Sequence, residues 1–209
     1  MDRALRRLTL FAAVACAAVL AGCDRGASNA AAPAVGTSFN GIDITGAPYA
    51  NALSLPDAEG RPRTLADFKG KVTVVFFGYT QCPDACPTTM AELSGILKTL
   101  GPDASKVQVV FVSVDPSRDT PALLKNYVTN FRPDFIALRG DEAQTKQVVK
   151  DFKLIVEKVP GKTPDSYTID HTAGTYIFDR EGRVRLFASQ SLDPALLADD
   201  IKALLAEKA

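Results

Sequence analysis

The hydrophobic positions along the chain fall into short continuous runs and longer stretches with helical spacing. The runs Val72 to Phe77 and Val107 to Val114 are rich in β-branched and aromatic residues, which is typical of strands buried on both faces of a sheet. Between them, apolar residues recur at helical spacing from Pro87, a residue suited to a first helical position, until Gly101 ends the pattern. These segments predict a strand, a helix and a second strand.

The middle of the chain continues this alternation. Thr120 and Pro121 are suited to the N-cap and the first residue of a further helix. The apolar pattern then predicts a short strand at 135–138, a helix at 141–152 and another strand at 154–159. Strands that alternate with helices in this way are typical of a parallel sheet.

The last part of the chain has a different pattern. After a polar loop at 160–168, two apolar runs flank Asp179-Arg180-Glu181-Gly182, which predicts a hairpin, and a helix of about 14 residues begins at Asp193. Turn signals between residues 37 and 65 predict small antiparallel strands. The order predicts an α/β protein of thioredoxin-like topology: a central mixed, mostly parallel sheet flanked by helices, with an inserted strand and helix and an N-terminal β extension.

The first residues of the chain have the pattern of an export signal. Arg3, Arg6 and Arg7 precede an apolar run from Leu8 to Leu20, and small residues lead to Cys23. The run is shorter than the roughly 20 residues of a membrane span. Leu-Ala-Gly-Cys resembles the bacterial lipoprotein box, which makes Cys23 the predicted site of lipidation. The alternatives are cleavage at a nearby Ala and retention as a transmembrane anchor.

The chain is thus predicted to consist of three parts. Residues 1–22 are a lipoprotein signal peptide, residues 23–36 are a flexible tether rich in Ala, Ser, Asn, Gly and Pro, and residues 37–209 form one domain. Asp24 follows the lipidated residue and resembles an inner-membrane retention signal. We therefore expect a protein of the bacterial cell envelope, held by a lipid anchor on the periplasmic face of the membrane.

The charge of the chain excludes one class of partner. The whole chain carries 24 basic and 24 acidic residues, and residues 1–22 contain three Arg and one Asp. The mature net charge is therefore about −2. With no basic stripe to neutralise phosphates, nucleic acid is not an expected partner.

Two cysteines are placed where ligand sites gather in α/β proteins. Cys82 and Cys86 follow a buried strand and precede a helix, at the carboxyl edge of the predicted sheet. Pro83 disfavours helical geometry at Cys82, and the helix entrance favours the thiolate of Cys86. Their spacing also permits a reversible disulfide. A purely structural disulfide is the alternative, although it would close only a very short loop.

The single histidine of the chain points to a metal. His171 precedes the predicted hairpin strand, and in thioredoxin-like folds the loop before that strand packs against the cysteines. Two thiolates and one imidazole favour Cu(I), and an added oxygen ligand would suit Cu(II). Asp170 is a candidate carboxylate behind the imidazole, although neighbours on an extended segment point to opposite faces. Zinc usually takes four ligands, for which Asp84 is the candidate fourth.

Three segments carry a resemblance to a known family. They are the run from Gly78 to Pro87, which includes both cysteines, the run from Val114 to Pro121, and Asp170-His171-Thr172. Together they resemble the Sco/SenC family, thioredoxin-fold proteins implicated in building the copper centre of cytochrome c oxidase, over most of residues 50–207. The second segment is interpreted as a turn and helix cap that supports the site without contacting copper.

The resemblance implies a function and leaves alternatives. The leading hypothesis is a membrane-tethered copper metallochaperone, not an enzyme, that binds copper through Cys82, Cys86 and His171 and delivers it to an oxidase subunit. The main alternative is a thiol-disulfide reductase of the oxidase copper site, which would need a periplasmic thiol reductant. A peroxiredoxin-type peroxidase lacks its motif, because Thr80 lies only two residues before Cys82. A copper or redox sensor would use the same residues.

Overall fold

A mixed β-sheet forms the centre of the protein. The computed structural model describes residues 38–163 and 166–207, and the predicted signal peptide, the tether and Cys23 lie outside these residues. The strands are β1 (Ile42–Asp43), β2 (Ser54–Pro56), β3 (Pro62–Thr64), β4 (Val72–Gly78), β5 (Val107–Ser113), β6 (Ile136–Leu138), β7 (Val156–Pro160), β8 (Tyr167–His171), β9 (Gly174–Phe178) and β10 (Val184–Ser189). Six of them form the central sheet in the order β1-β10-β9-β4-β5-β6.

Four α-helices accompany the strands in the described part of the chain. They are α1 (Ala85–Leu100), α2 (Pro121–Phe131), α3 (Glu142–Asp151) and α4 (Pro194–Ala206), and two short 3-10 helices cover Leu65–Phe68 and Gly101–Lys106. Thr120 caps α2 as predicted, because its side chain accepts a hydrogen bond from the backbone of Leu123. No helix in the described ranges is long and apolar enough to cross a membrane.

The long apolar runs become the middle of the sheet. Every residue of β4 and of β5 is buried, and the two strands pair in parallel with Val72 opposite Val107. β6 continues the parallel part, whereas β9 joins β4 in antiparallel orientation and leads into the predicted hairpin with β10. The α/β fold with a central mixed sheet is therefore confirmed. Four of its six strands run in one direction, but only β4–β5 and β5–β6 are parallel neighbours.

One part of the predicted topology is wrong. The strand expected at 154–159 exists as β7, but it lies outside the central sheet. It pairs with β8, which begins inside the segment 160–168 that was predicted to be a polar loop and continues to His171. Four of the five residues of β7 are exposed, so this segment lacks the apolar surface that a central strand needs. The β7–β8 hairpin is instead a separate two-stranded unit that ends at His171.

The predicted N-terminal β extension is confirmed as β2 and β3, which pair in antiparallel orientation, while β1 extends the central sheet along β10.

Two hairpin turns of the protein share the pattern Asp-x-Glu-Gly-Arg, at 57–61 and 179–183. In the second, the Asp179 carboxylate accepts hydrogen bonds from the backbone of Glu181 and of Arg183 and from the Arg183 guanidinium. Asp57 makes the same contacts in the first turn. A buried carboxylate therefore organises each turn.

We expect Asp179→Asn to lower the free energy of unfolding by about 1–2 kcal/mol at pH 7. Burial raises the pKa of Asp179, but the hydrogen bonds from Arg183 and Glu181 outweigh it and hold the pKa below its ordinary value. A carboxylate with a lowered pKa stabilises the fold above its unfolded pKa of about 4, and this stability is lost as the pH falls. Urea unfolding should show a smaller difference at pH 3. Asp199→Asn, in an exposed pair with Lys202, is the control.

Candidate metal centre

The two cysteines lie where β4 ends and α1 begins. Cys82 is half-buried in the connecting loop, whereas Cys86 is the second residue of α1 and fully buried. The backbone N–H of Cys86 donates a hydrogen bond to Sγ of Cys82 at 3.3 Å. Asp84 holds the N-cap position but makes no capping hydrogen bond with its side chain. The Cys82 sulfur therefore lies at the N-terminus of the helix, within hydrogen-bond distance of a backbone N–H group.

The prediction that the helix entrance favours the thiolate of Cys86 is wrong. Burial raises the pKa of the Cys86 thiol strongly, and its hydrogen bond with Cys82 adds to this shift. Pro87 is the third residue of α1 and not its first, so Cys86 is already inside the helix. Cys82 instead lies beside the N-terminus of α1 at the crevice, and Cys86 is held as a buried thiol.

The β7–β8 hairpin brings the histidine to the cysteines. Nε2 of His171 lies 3.7 Å from Sγ of Cys86, and Nδ1 lies 3.0 Å from the carbonyl oxygen of Thr172. A proton on Nδ1 would donate to that carbonyl and leave the lone pair of Nε2 directed at the sulfur. Burial lowers the pKa of His171, which favours the neutral imidazole. The contact joins residues 85 positions apart in the chain.

Asp170 does not orient the imidazole through a hydrogen bond. Residues of β8 alternate between faces, so Asp170 is exposed while Ile169 is buried. The carbonyl of Thr172 takes the place beside Nδ1 that was considered for the Asp170 carboxylate. Asp170 still lines the same surface crevice as His171, together with Cys82 and Asp84.

Aromatic rings and a glycine shape the surroundings of the site. The ring centroids of Phe76 and Tyr79 each lie 6.3 Å from that of His171, in edge-on orientations. Gly78 leaves room for the buried sulfur, because a Cβ atom there would lie 2.8 Å from Sγ of Cys86. A larger residue at this position would displace Cys86 or the Phe111 ring, whose Cε2 atom is 3.0 Å from the same point.

The three predicted ligand side chains are neighbours but are not arranged as a preformed metal-binding cluster. Within residues 38–163 and 166–207, no three His, Cys, Asp or Glu side chains are gathered closely enough to hold a metal ion. Cys86 contacts both Cys82 and His171, and both of these line the crevice. The sulfurs are not joined by a disulfide.

The segment from Val114 to Pro121 supports the cysteine loop. Asp119 is fully buried, and its carboxylate accepts hydrogen bonds from the backbone and hydroxyl of Thr80 and from the hydroxyl of Ser113. Burial raises the pKa of Asp119 even though these donors act against it. The sequence pattern did not single out Asp119 or Arg118, although both lie in the loop that follows the buried strand β5, at the same sheet edge as the cysteines, which was an available signal.

The fold and the site define a class of protein: a thioredoxin-fold protein that joins a cysteine pair after its first long strand to a histidine from a hairpin outside the sheet. The family model described as SCO1/SenC matches residues 42–206, most of the chain. The protein belongs to the SCO1/SenC family.

Individual relatives agree with this assignment. The chain is 38% identical to the SCO2-like protein of Rickettsia typhi over 133 residues, which cover 63% of this chain and 66% of that protein. A structure of Bradyrhizobium japonicum ScoI with copper bound matches with 44% identity and a TM-score of 0.67, covering 74% of this chain and 98% of that one. Apo Sco1 of Thermus thermophilus matches with 35% identity and a TM-score of 0.71, covering 80% and 98%.

Proposed function

We propose that this protein is a copper metallochaperone for the assembly of cytochrome c oxidase, with Cys82, Cys86 and His171 as its copper ligands. The observation that carries the proposal is the 3.7 Å contact between Nε2 of His171 and Sγ of Cys86, with Cys82 adjacent. Sco proteins are a family of cytochrome c oxidase assembly proteins, and the related ScoI has been solved with copper bound. Copper is the cargo of the protein and not a catalytic cofactor.

The geometry of the pair fits two ligands of one ion. With bond lengths of about 2.3 Å to sulfur and about 2.0 Å to imidazole nitrogen, as in zinc sites, atoms 3.7 Å apart subtend an angle of about 120° at a shared ion. An angle of this size suits the three-coordinate site that two thiolates and an imidazole offer to Cu(I). Cys82 would complete the set from the open side of the crevice.

The unequal burial of the ligands suits a protein that must also release its ion. Cys86 is fully buried in α1, whereas Cys82 and His171 are half-buried and both line the crevice. A partner at the crevice would reach these two ligands before it reached Cys86. We therefore propose that an oxidase subunit with its own copper ligands exchanges for Cys82 and His171 before it exchanges for the buried Cys86.

The location of the protein is part of the proposal. We infer that residues 1–22 are removed, that Cys23 carries the lipid, and that residues 23–36 tether the domain 37–209 to the periplasmic face of the inner membrane. Lipidation has a parallel in a SCO1/SenC family lipoprotein of Bacillus anthracis, which is 26% identical to this chain. Such an anchor would confine the crevice to the membrane surface, where oxidase subunits assemble.

A second function is supported by the contact between the cysteines. Cys82 is half-buried at the crevice and accepts a hydrogen bond from Cys86, the arrangement that a dithiol reductase would use. The Cys82 thiolate would attack a partner disulfide, and Cys86 would then displace the partner, leaving two partner thiols and a Cys82–Cys86 disulfide. Two electrons and two protons pass to the partner, and a periplasmic dithiol must restore the pair.

The purified, reduced protein is expected to bind one Cu(I) per chain. Cys82→Ser combined with Cys86→Ser should reduce retained copper to background, because serine hydroxyls are poor ligands for a soft ion. Met90→Leu, which removes a buried thioether from α1 but leaves both thiols, is the control. Copper and protein are quantified after passage over a Cu(I) chelator. Equal copper retention by the double variant and the wild type would overturn the proposed function.

A further inference from the structure

The outer edge of β8 is held by side chains instead of a neighbouring strand. β8 pairs with β7 on one side, and among the described residues no strand pairs with its other side. On that side the backbone N–H of Ile169 donates to the Tyr79 hydroxyl at 3.1 Å, and the carbonyl of Tyr167 accepts from Nη1 of Arg118 at 2.8 Å. Two side chains therefore satisfy backbone groups that a third strand would otherwise pair.

Arg118 also contacts the ring of the residue whose carbonyl it binds. Its guanidinium carbon lies 3.5 Å from the centroid of the Tyr167 ring, and it lies 5.6 Å from the centroid of the Tyr79 ring. Nη1 reaches Oε1 of Gln81, in the cysteine loop, at 3.3 Å. The planar group thus touches the hairpin and the loop at once, through stacking and through hydrogen bonds.

Asp115 fixes the direction of the guanidinium. Nε of Arg118 forms an ion pair with Oδ2 of Asp115, whose side chain is only 1% exposed. The other carboxylate oxygen accepts a hydrogen bond from the Tyr167 hydroxyl at 2.8 Å. Asp115, Arg118 and Tyr167 therefore form a closed set of contacts, with each member bound to the other two. Such a set restricts the hairpin to one placement over the loop.

We propose that Arg118 is a positioning residue that keeps His171 against Cys86 by fastening the β7–β8 hairpin to the cysteine loop. His171 is four residues beyond Tyr167 on β8, so any displacement of the strand moves the imidazole as well. An isolated two-stranded hairpin is only marginally stable in water, which is why an external attachment matters. The claim that this position of His171 matters for copper binding rests on the proposed function. The role of Arg118 in holding the hairpin in position does not depend on it.

Lysine cannot replace Arg118 in this role. A lysine ammonium keeps the charge but lacks the planar fork that stacks on Tyr167 while binding Asp115 and the Tyr167 carbonyl together. Arg118→Lys and Arg118→Ala should therefore both release the hairpin. Arg132→Ala is the matched control, because it removes an Arg–Asp pair with Asp134 between α2 and β6.

The first measurement uses the single histidine of the metal-free, reduced protein, purified without a histidine tag. Diethyl pyrocarbonate acylates accessible neutral imidazoles, and His171 is the only imidazole of the chain, so the carbethoxyhistidine product can form only there. We expect the modification rate to rise several-fold in both Arg118 variants and to remain at the wild-type value in Arg132→Ala. Far-UV circular dichroism identifies the variants that retain the fold. If Arg118→Ala unfolds, the rate is compared with that of the less disruptive Arg118→Lys alone. An unchanged rate in folded Arg118→Lys would overturn the proposal.

The second measurement compares Cu(I) affinity in competition with a chelator. Arg118→Lys should bind copper roughly 10-fold more weakly than wild type, the size of effect seen when the support of a metal ligand is lost. Weaker binding with an unchanged rate of His171 modification would contradict the proposal that Arg118 acts by positioning His171. If the wild type itself binds no copper, the proposed function fails, while the modification rates still test the role of Arg118.

Discussion

Replacement of His171 by alanine should abolish cytochrome c oxidase assembly while leaving thiol-disulfide exchange by the cysteines intact. The imidazole supplies the nitrogen that lies 3.7 Å from Sγ of Cys86, and it takes no part in the exchange of a dithiol with a disulfide. Loss of one of the three proposed ligands would leave two thiolates, which should hold and deliver Cu(I) less effectively than the complete set. The variant therefore separates the two functions that the cysteine pair permits.

The measurement combines a cellular and a chemical assay. Oxidase activity is followed in membranes of a strain that carries the variant as its only copy, and exchange is followed as the rate of reduction of a small aromatic disulfide by the purified protein. Glu157→Ala, an exposed change on β7 outside the crevice lining, is the control and should retain both activities. Normal oxidase assembly with His171→Ala would favour the reductase over the chaperone.

The second large effect is expected at Asp119. Asp119→Ala should lower the free energy of unfolding by about 3–5 kcal/mol, because it leaves the Thr80 backbone, the Thr80 hydroxyl and the Ser113 hydroxyl without their acceptor. Thr80 is two residues before Cys82, so the cysteine loop should lose order as well. Removal of an exposed aspartate carboxylate should lower the free energy of unfolding far less.

Urea unfolding at pH 7 measures this effect, with Asp103→Ala as the control. Asp103 forms an exposed ion pair with Lys106, and its loss should change stability by less than about 1 kcal/mol. Amide hydrogen exchange in the segment 79–84 should increase in Asp119→Ala and not in the control. Equal stabilities for the two variants would show that the buried carboxylate does not organise the loop.

The central elements of the fold could be predicted because each has a strong local signal. The mainly apolar, β-branched runs of β4 and β5 favour the middle of a sheet, and Pro121 with Thr120 marks the start of α2. The β7–β8 hairpin has no such signal. Its residues alternate weakly in polarity, and its position depends on side chains of distant segments, notably Arg118 and Tyr79.

The functional site was likewise predictable only in part. Cys82, Cys86 and His171 could be selected from their rarity and chemistry, and the structure brings both other residues into contact with Cys86. Their individual environments could not be predicted in this way. The position of the Cys82 sulfur at the helix N-terminus and the complete burial of Cys86 follow from packing between β4, α1 and the Phe111 ring, which no local pattern encodes.

X-ray absorption at the copper edge of the Cu(I)-loaded, purified protein tests the copper site most directly. Two sulfur scatterers and one imidazole nitrogen around copper are the predicted result, and the nitrogen contribution should disappear in His171→Ala if that protein retains any metal. A wild-type spectrum with sulfur ligands alone, or one that is unchanged in His171→Ala, would contradict the proposal that Cys82, Cys86 and His171 together hold the ion.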